Sequence, residues 1–586
     1  MNKTLMHKGI AIMLAAFVAL VAAFALALPA YATTSEVAEG ATASPAAADS
    51  TTSIEAKTGN ANDTLNMYKV VTVTYANNQL TYAFTPTFQA FLDAADPSAP
   101  YKGLTIDQYT AGAYDAEAVL GAFTAYVRNA SPALAYDKSE QTDVSGVANF
   151  TEVGLGQYII VGMGNTNGAK IYQTVTAEVV PTIVDGAYVI YSKYVVDLKT
   201  TEPGGDKEIT GGTVTDGSNA TASIGKPISY KLNGDVPVYP AGAKNTTVVM
   251  GDKLSKGLTL DRTTVKAYKD TATGTVELNP GTDYTLTYQV NSDGTTTMYV
   301  SFVYDNIKDA TKLHVTYDAV LNENAVIGGA TGNPNDYTFI YSNNPFKEGT
   351  YTPGDEDNPN SGYGKKTDKE TVFTYSFYIY KTDNNTANPT ALKGAVFELK
   401  TADGTVVATL TTDDKGYAAV DGLQAGSYKL QETTAPTGYK LMSPNPKDVS
   451  IDASHATSAV TTTTTVHYTT VKDYAAIKVQ ATDAQGKLLW LADGATGDNP
   501  TASETQPAGM VPAYVLSIET KVDNTSVQTG QPAGTGYTPE NIKDEPGGNL
   551  PVTGGMGTYL LYGAGIALVL IAGIAYFVRR RSARQK

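Results

Sequence analysis

Amines, carboxyls and carboxamides stand in this sequence where strand alternation turns them toward apolar faces. Phe373, Tyr375, Phe377 and Ile379 share a side with Lys381, because successive strand residues face opposite ways. By the same count Tyr428 and Leu430 accompany Glu432, and Tyr514, Leu516, Ile518 and Val522 accompany Asn524. A second group repeats the pattern, with Val248, Met250 and Leu254 beside Asp252 and Tyr337, Phe339 and Tyr341 beside Asn343. Burial lowers the pKa of an amine and raises that of a carboxyl. A neutral lysine is a nucleophile, and a protonated acid can polarise a carboxamide and relay a proton to departing ammonia. Such a site reacts once and does not turn over.

The elements that must hold these groups are strands. The chain has 39 Tyr, 54 Gly and 27 Pro with Thr-rich alternating runs, an all-β composition. A first domain is expected over 53–199, with strands at Met67–Tyr75 and Gly156–Val161 and a short helix near Ala116–Val127. Thr200–Asp206 is a linker by composition. A second domain is expected over 200–348, with strands at Ile228–Leu232, Tyr284–Val290, Met298–Tyr304 and Leu313–Val320. A Gly, Pro, Asn and Asp-rich connection, Gly349–Asp368, leads to a third domain over 369–527, and 528–549 reads as a polar tether. Three sandwiches in series make a rod.

Both ends carry targeting signals. Lys3, His7 and Lys8 precede the apolar stretch Ile10–Leu28, and Ala30-Tyr31-Ala32 is a small-residue cleavage site, so 1–32 reads as a signal peptide. Residues 33–52, rich in Ala, Ser and Thr, read as a disordered leader. At the other end Leu550-Pro551-Val552-Thr553-Gly554 is followed by an apolar segment, 557–578, and a basic tail, 579–586. About 20 apolar residues at 1.5 Å each span the bilayer hydrocarbon, with the arginines on the cytoplasmic side.

Several function classes are excluded. The formal net charge is −16 and there is no basic stripe, which argues against nucleic acid. The four histidines, His7, His314, His455 and His467, are scattered without carboxylates at ligand spacing. Neither a metal site, nor a Ser/His/Asp triad, nor a phosphate loop can be assembled, so no cofactor is expected and a conventional enzyme is disfavoured. An exported chain without cysteine must rely on its cores or on another covalent staple.

The C-terminal motif resembles the LPxTG cell-wall sorting signal, and the whole chain resembles the sortase-assembled backbone pilins of Gram-positive bacteria. Tyr428-Lys429-Leu430-Gln431-Glu432-Thr433-Thr434-Ala435-Pro436 is similar to the pilin E-box, and Leu392-Lys393-Gly394-Ala395-Val396-Phe397-Glu398-Leu399 to a strand of Cna B-type domains. Asp206-Lys207-Glu208-Ile209, Asp252–Leu258 and Tyr341-Ser342-Asn343-Asn344-Pro345 are similar to the Cna A-type middle domain. The resemblance implies tandem immunoglobulin-like sandwiches, each of the last two stapled by an intramolecular isopeptide bond. Lys207 would join Asn343 with Asp252 as acid. Lys381 would join Asn524 with Glu432 assisting, and Asn541 and Asp473 are alternative acceptors.

In that family a lysine near the end of the first domain, in a motif like WxxxVxVYPK, receives the threonine of the next subunit. Tyr188-Val189-Ile190-Tyr191-Ser192-Lys193 occupies the place, with Ser192 where Pro is usual and no preceding Trp, since Trp490 is the sole one. Lys193 is thus the expected polymerisation lysine, with Lys199 second. The implied partners are a class C sortase, a housekeeping sortase, identical subunits, peptidoglycan, ancillary pilins and host surface ligands. The implied function is the shaft of a wall-anchored pilus supporting adhesion. The alternative is an ancillary pilin or solitary wall-anchored adhesin, and a hydrolase in the first domain is a distant third.

Overall fold

The computed structural model describes residues 35–547, apart from 131, 164–169, 217, 241, 359–360, 454–459 and 526–538. The expected signal peptide, sorting motif, apolar span and basic tail lie outside the described residues. The described residues are about 51% strand and 8% helix, and the tandem all-β architecture holds.

The first domain is built around Thr64–Ala76, thirteen residues long and buried at Leu65, Met67, Val71 and Val73. It sits in a sheet with Val175–Val179, Gly156–Gly162 and Gln79–Phe84. The helix Ala116–Asn129 begins where the Asp115 carboxylate accepts the Ala118 N–H at 3.0 Å, as an N-cap should. It buries Val119, Leu120, Phe123 and Val127, one helical face. The described part of the expected disordered leader, from residue 35 onward, forms strands instead. Its segment Glu36–Val37 pairs with Lys193–Asp197, and Ala43–Pro45 pairs with Ala187–Tyr191. The alternation Ile54, Ala56 within Thr51–Lys57 extends that sheet.

The second domain is a sandwich of a five-stranded and a seven-stranded sheet. Gly205–Ile209, Pro227–Asp235 and Lys312–Leu321 are neighbours in the first. Val248–Leu254 pairs with Asn333–Ser342 in the second. The domain does not close at 348. Tyr363–Phe373 pairs with Asn333–Ser342 along its length, so the end of the expected linker, 363–368, belongs to a strand of this sheet, which buries Tyr363, Val372 and Phe373.

The third domain begins directly at Tyr375–Asp383, which pairs antiparallel with Tyr417–Leu423 and parallel with Glu540–Asp544. The facing sheet runs Val406–Thr411, Val396–Thr401, Gly426–Thr434, Lys447–Ile451. Two expectations change here. Glu540–Asp544 is a strand of the domain rather than part of a tether, because Ile542 completes its core. The region between Ile451 and Glu540 is an insertion with its own sheets and its own core of Tyr468, Ile477, Leu489, Ala513 and Val515.

That core also takes in Val320 of the second domain and Ile224 beside it. Tyr468 Oη donates to Glu323 Oε1 at 3.4 Å, Arg262 Nη2 lies 3.6 Å from Glu504 Oε2, and the Thr259 and Thr482 hydroxyls are 3.5 Å apart. At Gly294, with φ of +81°, a Cβ would come within 2.2 Å of the Ala484 carbonyl oxygen. Only glycine permits that approach. The insertion therefore leaves the third domain and docks on the second.

Candidate cross-linking sites

Lys207 lies opposite Leu232 on the first strand of the second domain, and its alternation with Ile209 turns it inward. Its Nζ is wholly buried, 2.5 Å from Asp252 Oδ1, within 3.1 Å of the Tyr317 hydroxyl and above the Tyr230 ring. Tyr317 donates in turn to Asp252 Oδ2. Burial holds Asp252 above the usual carboxylate range and Lys207 below the usual amine range, each effect opposed by the other's charge. Both shifts favour moving one proton from Nζ to the carboxylate, leaving a neutral amine beside a carboxylic acid.

The carboxamide at this cluster is Asn335. It is fully buried, its Nδ2 donates to Tyr317 Oη at 2.6 Å, and its Oδ1 has no hydrogen-bond partner among the described residues. Register explains the placement. Asp252 stands opposite Tyr337 and Leu254 opposite Asn335, so Asn335 is one inward-facing position from the acid.

Asn343 is not at this cluster. It lies just beyond the strand end, where its N–H donates to the Gly362 carbonyl at 3.0 Å. The adjoining residues join the first two domains. Asn344 Oδ1 accepts from Arg128 Nη1 at 2.7 Å, and the Phe346 carbonyl accepts from Asn129 Nδ2 at 3.0 Å.

In the third domain Lys381 is fully buried, as strand parity requires. Its Nζ is 3.1 Å from Glu432 Oε1, 5.3 Å from the Phe397 ring centre and in contact with Asp544 Oδ1. Glu432 reaches across from the facing sheet, where it pairs with Phe397. Asn445 pins it, accepting its N–H at 3.0 Å and donating to its carbonyl at 2.8 Å, while Glu432 Oε2 accepts the Met442 N–H at 2.6 Å. Burial raises the Glu432 carboxyl despite Lys381 and the Met442 N–H.

The third polar group at this site is Asp544. It is 1% exposed, and its Oδ2 has no hydrogen-bond partner among the described residues. The three acceptors expected from sequence stand elsewhere. Asn524 pairs with Thr461 in the sheet of the insertion. Asn541 is exposed beside Tyr380, and Asp473 is exposed in a short turn. The missed signal was Ile542-Lys543-Asp544, in which alternation puts the aspartate on the side of the buried isoleucine.

Lys193 opens its strand at a corner where the chain passes from one sheet to another. Its side chain is 37% exposed, and Nζ is 3.0 Å from Glu55 Oε1. Lys199 is exposed, and its carbonyl accepts the Gln173 N–H at 3.0 Å. Among the described residues no group of three His, Cys, Asp or Glu could hold a metal, and no helix is long and apolar enough to cross a membrane.

Residues 224–345 match the Gram-positive pilin backbone subunit 2, Cna-B-like domain, and residues 375–466 match a prealbumin-like fold domain. The trypsin-resistant surface T6 protein of Streptococcus pyogenes serotype M6 is 31% identical over 458 residues, which span 75% of this chain and 81% of the relative. The chain belongs to the Gram-positive backbone pilins. The solved T6 backbone pilin, described as a modular three-domain structure, aligns at a TM-score of 0.54 and 23% identity, over 86% of this chain and 100% of that one. The major pilin SpaD of Corynebacterium diphtheriae aligns at 0.44 and 18% identity, over 69% of this chain and 92% of that one. This backbone pilin is accordingly a structural subunit of a surface pilus shaft, exported and partnered by identical subunits, in a family that is not an enzyme family.

Proposed function

We propose that this pilin is a sortase substrate whose shaft is covalent at two levels, within each subunit and between subunits. Within the subunit, Lys207 attacks the side-chain carbonyl carbon of Asn335. A new C–N bond forms, Asp252 takes the proton that Nζ sheds and delivers it to the departing nitrogen, the carboxamide's own C–N bond breaks, and ammonia leaves. In the third domain Lys381 attacks Asp544. One proton passes from Nζ to the aspartate, the C–N bond forms as the C–O bond breaks, Glu432 protonates the departing oxygen and takes up the second Nζ proton, and water leaves.

The observation that carries this reading is the pairing, in each domain, of a wholly buried lysine with a buried acid and a further buried side chain, Asn335 or Asp544, that has an oxygen without a hydrogen-bond partner among the described residues. Unreacted, each cluster is an expensive arrangement, since buried ions pay several kcal/mol in lost hydration. Condensation removes the charges and leaves a neutral amide.

Between subunits, Thr553 of one copy is joined to Lys193 of the next by a class C sortase, and a housekeeping sortase transfers the last subunit to peptidoglycan. The sorting motif and its apolar, basic tail support this reading. The test is a blot of wall extracts: a ladder of high-mass species that disappears with Lys193→Ala. A single wall-anchored band in the wild type would point instead to a solitary adhesin.

A further inference from the structure

The surroundings of Lys193 contain more than an exposed amine. The Lys193 strand is held on both sides. Ala38 N–H donates to the Lys193 carbonyl at 3.1 Å on one side, and on the other the parallel partner strand Thr51–Lys57 places Ser53 opposite Lys193. Just before it, Ser192 N–H donates to the Thr42 carbonyl at 2.9 Å, Thr42 N–H donates to Ser192 Oγ at 3.0 Å, and Thr52 Oγ1 donates to the Tyr191 carbonyl at 2.7 Å. The corner is thus clamped by the segment that composition reads as a leader.

Across the strands Glu36, Val195 and Glu55 are in register and share the face of Lys193, with Lys57 opposite Asp197 farther along. Of these charged groups, Glu55 is the one whose carboxylate reaches Nζ, at 3.0 Å, with its side chain 26% exposed. That is hydrogen-bond reach for proton transfer.

We propose that Glu55 is the proton acceptor for Lys193 in subunit linkage, and that Glu36–Pro45 positions the pair. The proposal rests on Lys193 being the acceptor lysine. An ammonium that becomes an amide nitrogen sheds two protons. As Nζ attacks the Thr553 carbonyl held as an acyl-enzyme, the C–N bond forms and the acyl-enzyme bond breaks. One proton ends on the enzyme's leaving group, and the other passes through Glu55 to water. A carboxylate fixed at the amine supplies this path at neutral pH, where a free lysine is almost wholly protonated.

The test ligates the purified mature chain to an LPVTG-containing peptide with the pilus sortase, across a range of pH. Glu55→Gln keeps the shape and a hydrogen-bond acceptor but not the base. It is expected to slow ligation about tenfold or more near neutrality and to recover at higher pH. Glu55→Asp should restore part of the rate. Thr42→Pro, which removes the N–H that holds Ser192, should slow ligation without changing the pH profile. Wild-type rates and profile in Glu55→Gln would overturn the role of Glu55, and wild-type rates in Thr42→Pro would overturn that of the segment. Lys193→Arg separates the underlying reading: ligation that persists there and maps to Lys199 or elsewhere rejects Lys193 itself.

Discussion

Lys381 and Asp544 are in ion-pair contact although 163 positions separate them. They meet because the first and last strands of the third domain are parallel neighbours, with Lys381 opposite Ile542 and Asp383 opposite Asp544. If they condense, the mature chain is lighter than its sequence by one water for this pair and by one ammonia for Lys207 with Asn335. Intact-mass spectrometry should show both deficits. Asp544→Ala should restore only the water and Asn335→Ala only the ammonia, while Asn343→Ala changes neither. Full sequence mass in the wild type would reject the cross-links.

Removing the acid should block each bond separately. Glu432→Ala is expected to return the water and Asp252→Ala the ammonia. By analogy with loop closure by a disulfide, each lost bond lowers stability by about 3–5 kcal/mol. Calorimetry with mass analysis of the same samples checks both effects, and a variant that keeps its deficit shows that the acid is dispensable.

Replacing Lys207 tests the electrostatics. In Lys207→Met the cation that opposes the upward shift of Asp252 is gone. The folded state then holds that proton above the unfolded value of about 3.9, so stability falls as pH rises through and beyond that value. Urea midpoints should be lower at pH 8 than at pH 5, with a total loss of about 3–5 kcal/mol where the carboxylate is forced to ionise. Asn335→Ala, which keeps Lys207 beside Asp252 but not the bond, should have a flatter profile.

The insertion between Ile451 and Glu540 should act as a brace. Replacing 460–525 by a short Gly/Ser loop should leave both mass deficits intact. Small-angle scattering should then show a wider spread of angles between the second and third domains, since Val320 and Ile224 lose their cover. An unchanged scattering profile would mean that the direct contacts, such as Ile224 N–H to the Gly422 carbonyl at 2.8 Å, fix the joint alone.

Asn344→Ala should loosen the other joint. It leaves Arg128 without its acceptor, at about 1.5–3 kcal/mol for a hydrogen bond to a charged group. Faster protease cutting between the first two domains, with both mass deficits retained, is the expected result.

Strand parity made part of this legible. It put Lys381, Glu432 and Asp252 on their buried faces, because a period of two is all that a face requires. It could not separate Asn335 from Asn343, which share a face but lie eight residues, or about 26 Å, apart at 3.3 Å per residue. The register with Val248–Leu254 makes that choice, and register depends on a distant strand. Glu540–Asp544 was hidden for a related reason. Among Gly and Pro its one aliphatic residue gives no periodic signal, and only the neighbouring Lys381 strand reveals it.

A bond between Lys381 and Asp544 also divides the third domain into two evolutionary territories. Tension entering at Tyr375 would leave the backbone at Lys381 and rejoin it at Asp544, bypassing everything between. Residues in that bypassed stretch can be lengthened, replaced or diversified without lengthening the path that bears tension. The insertion that reaches back to the second domain lies wholly inside it. With that bond in place, the insertion would be free to vary where the tensile thread is not.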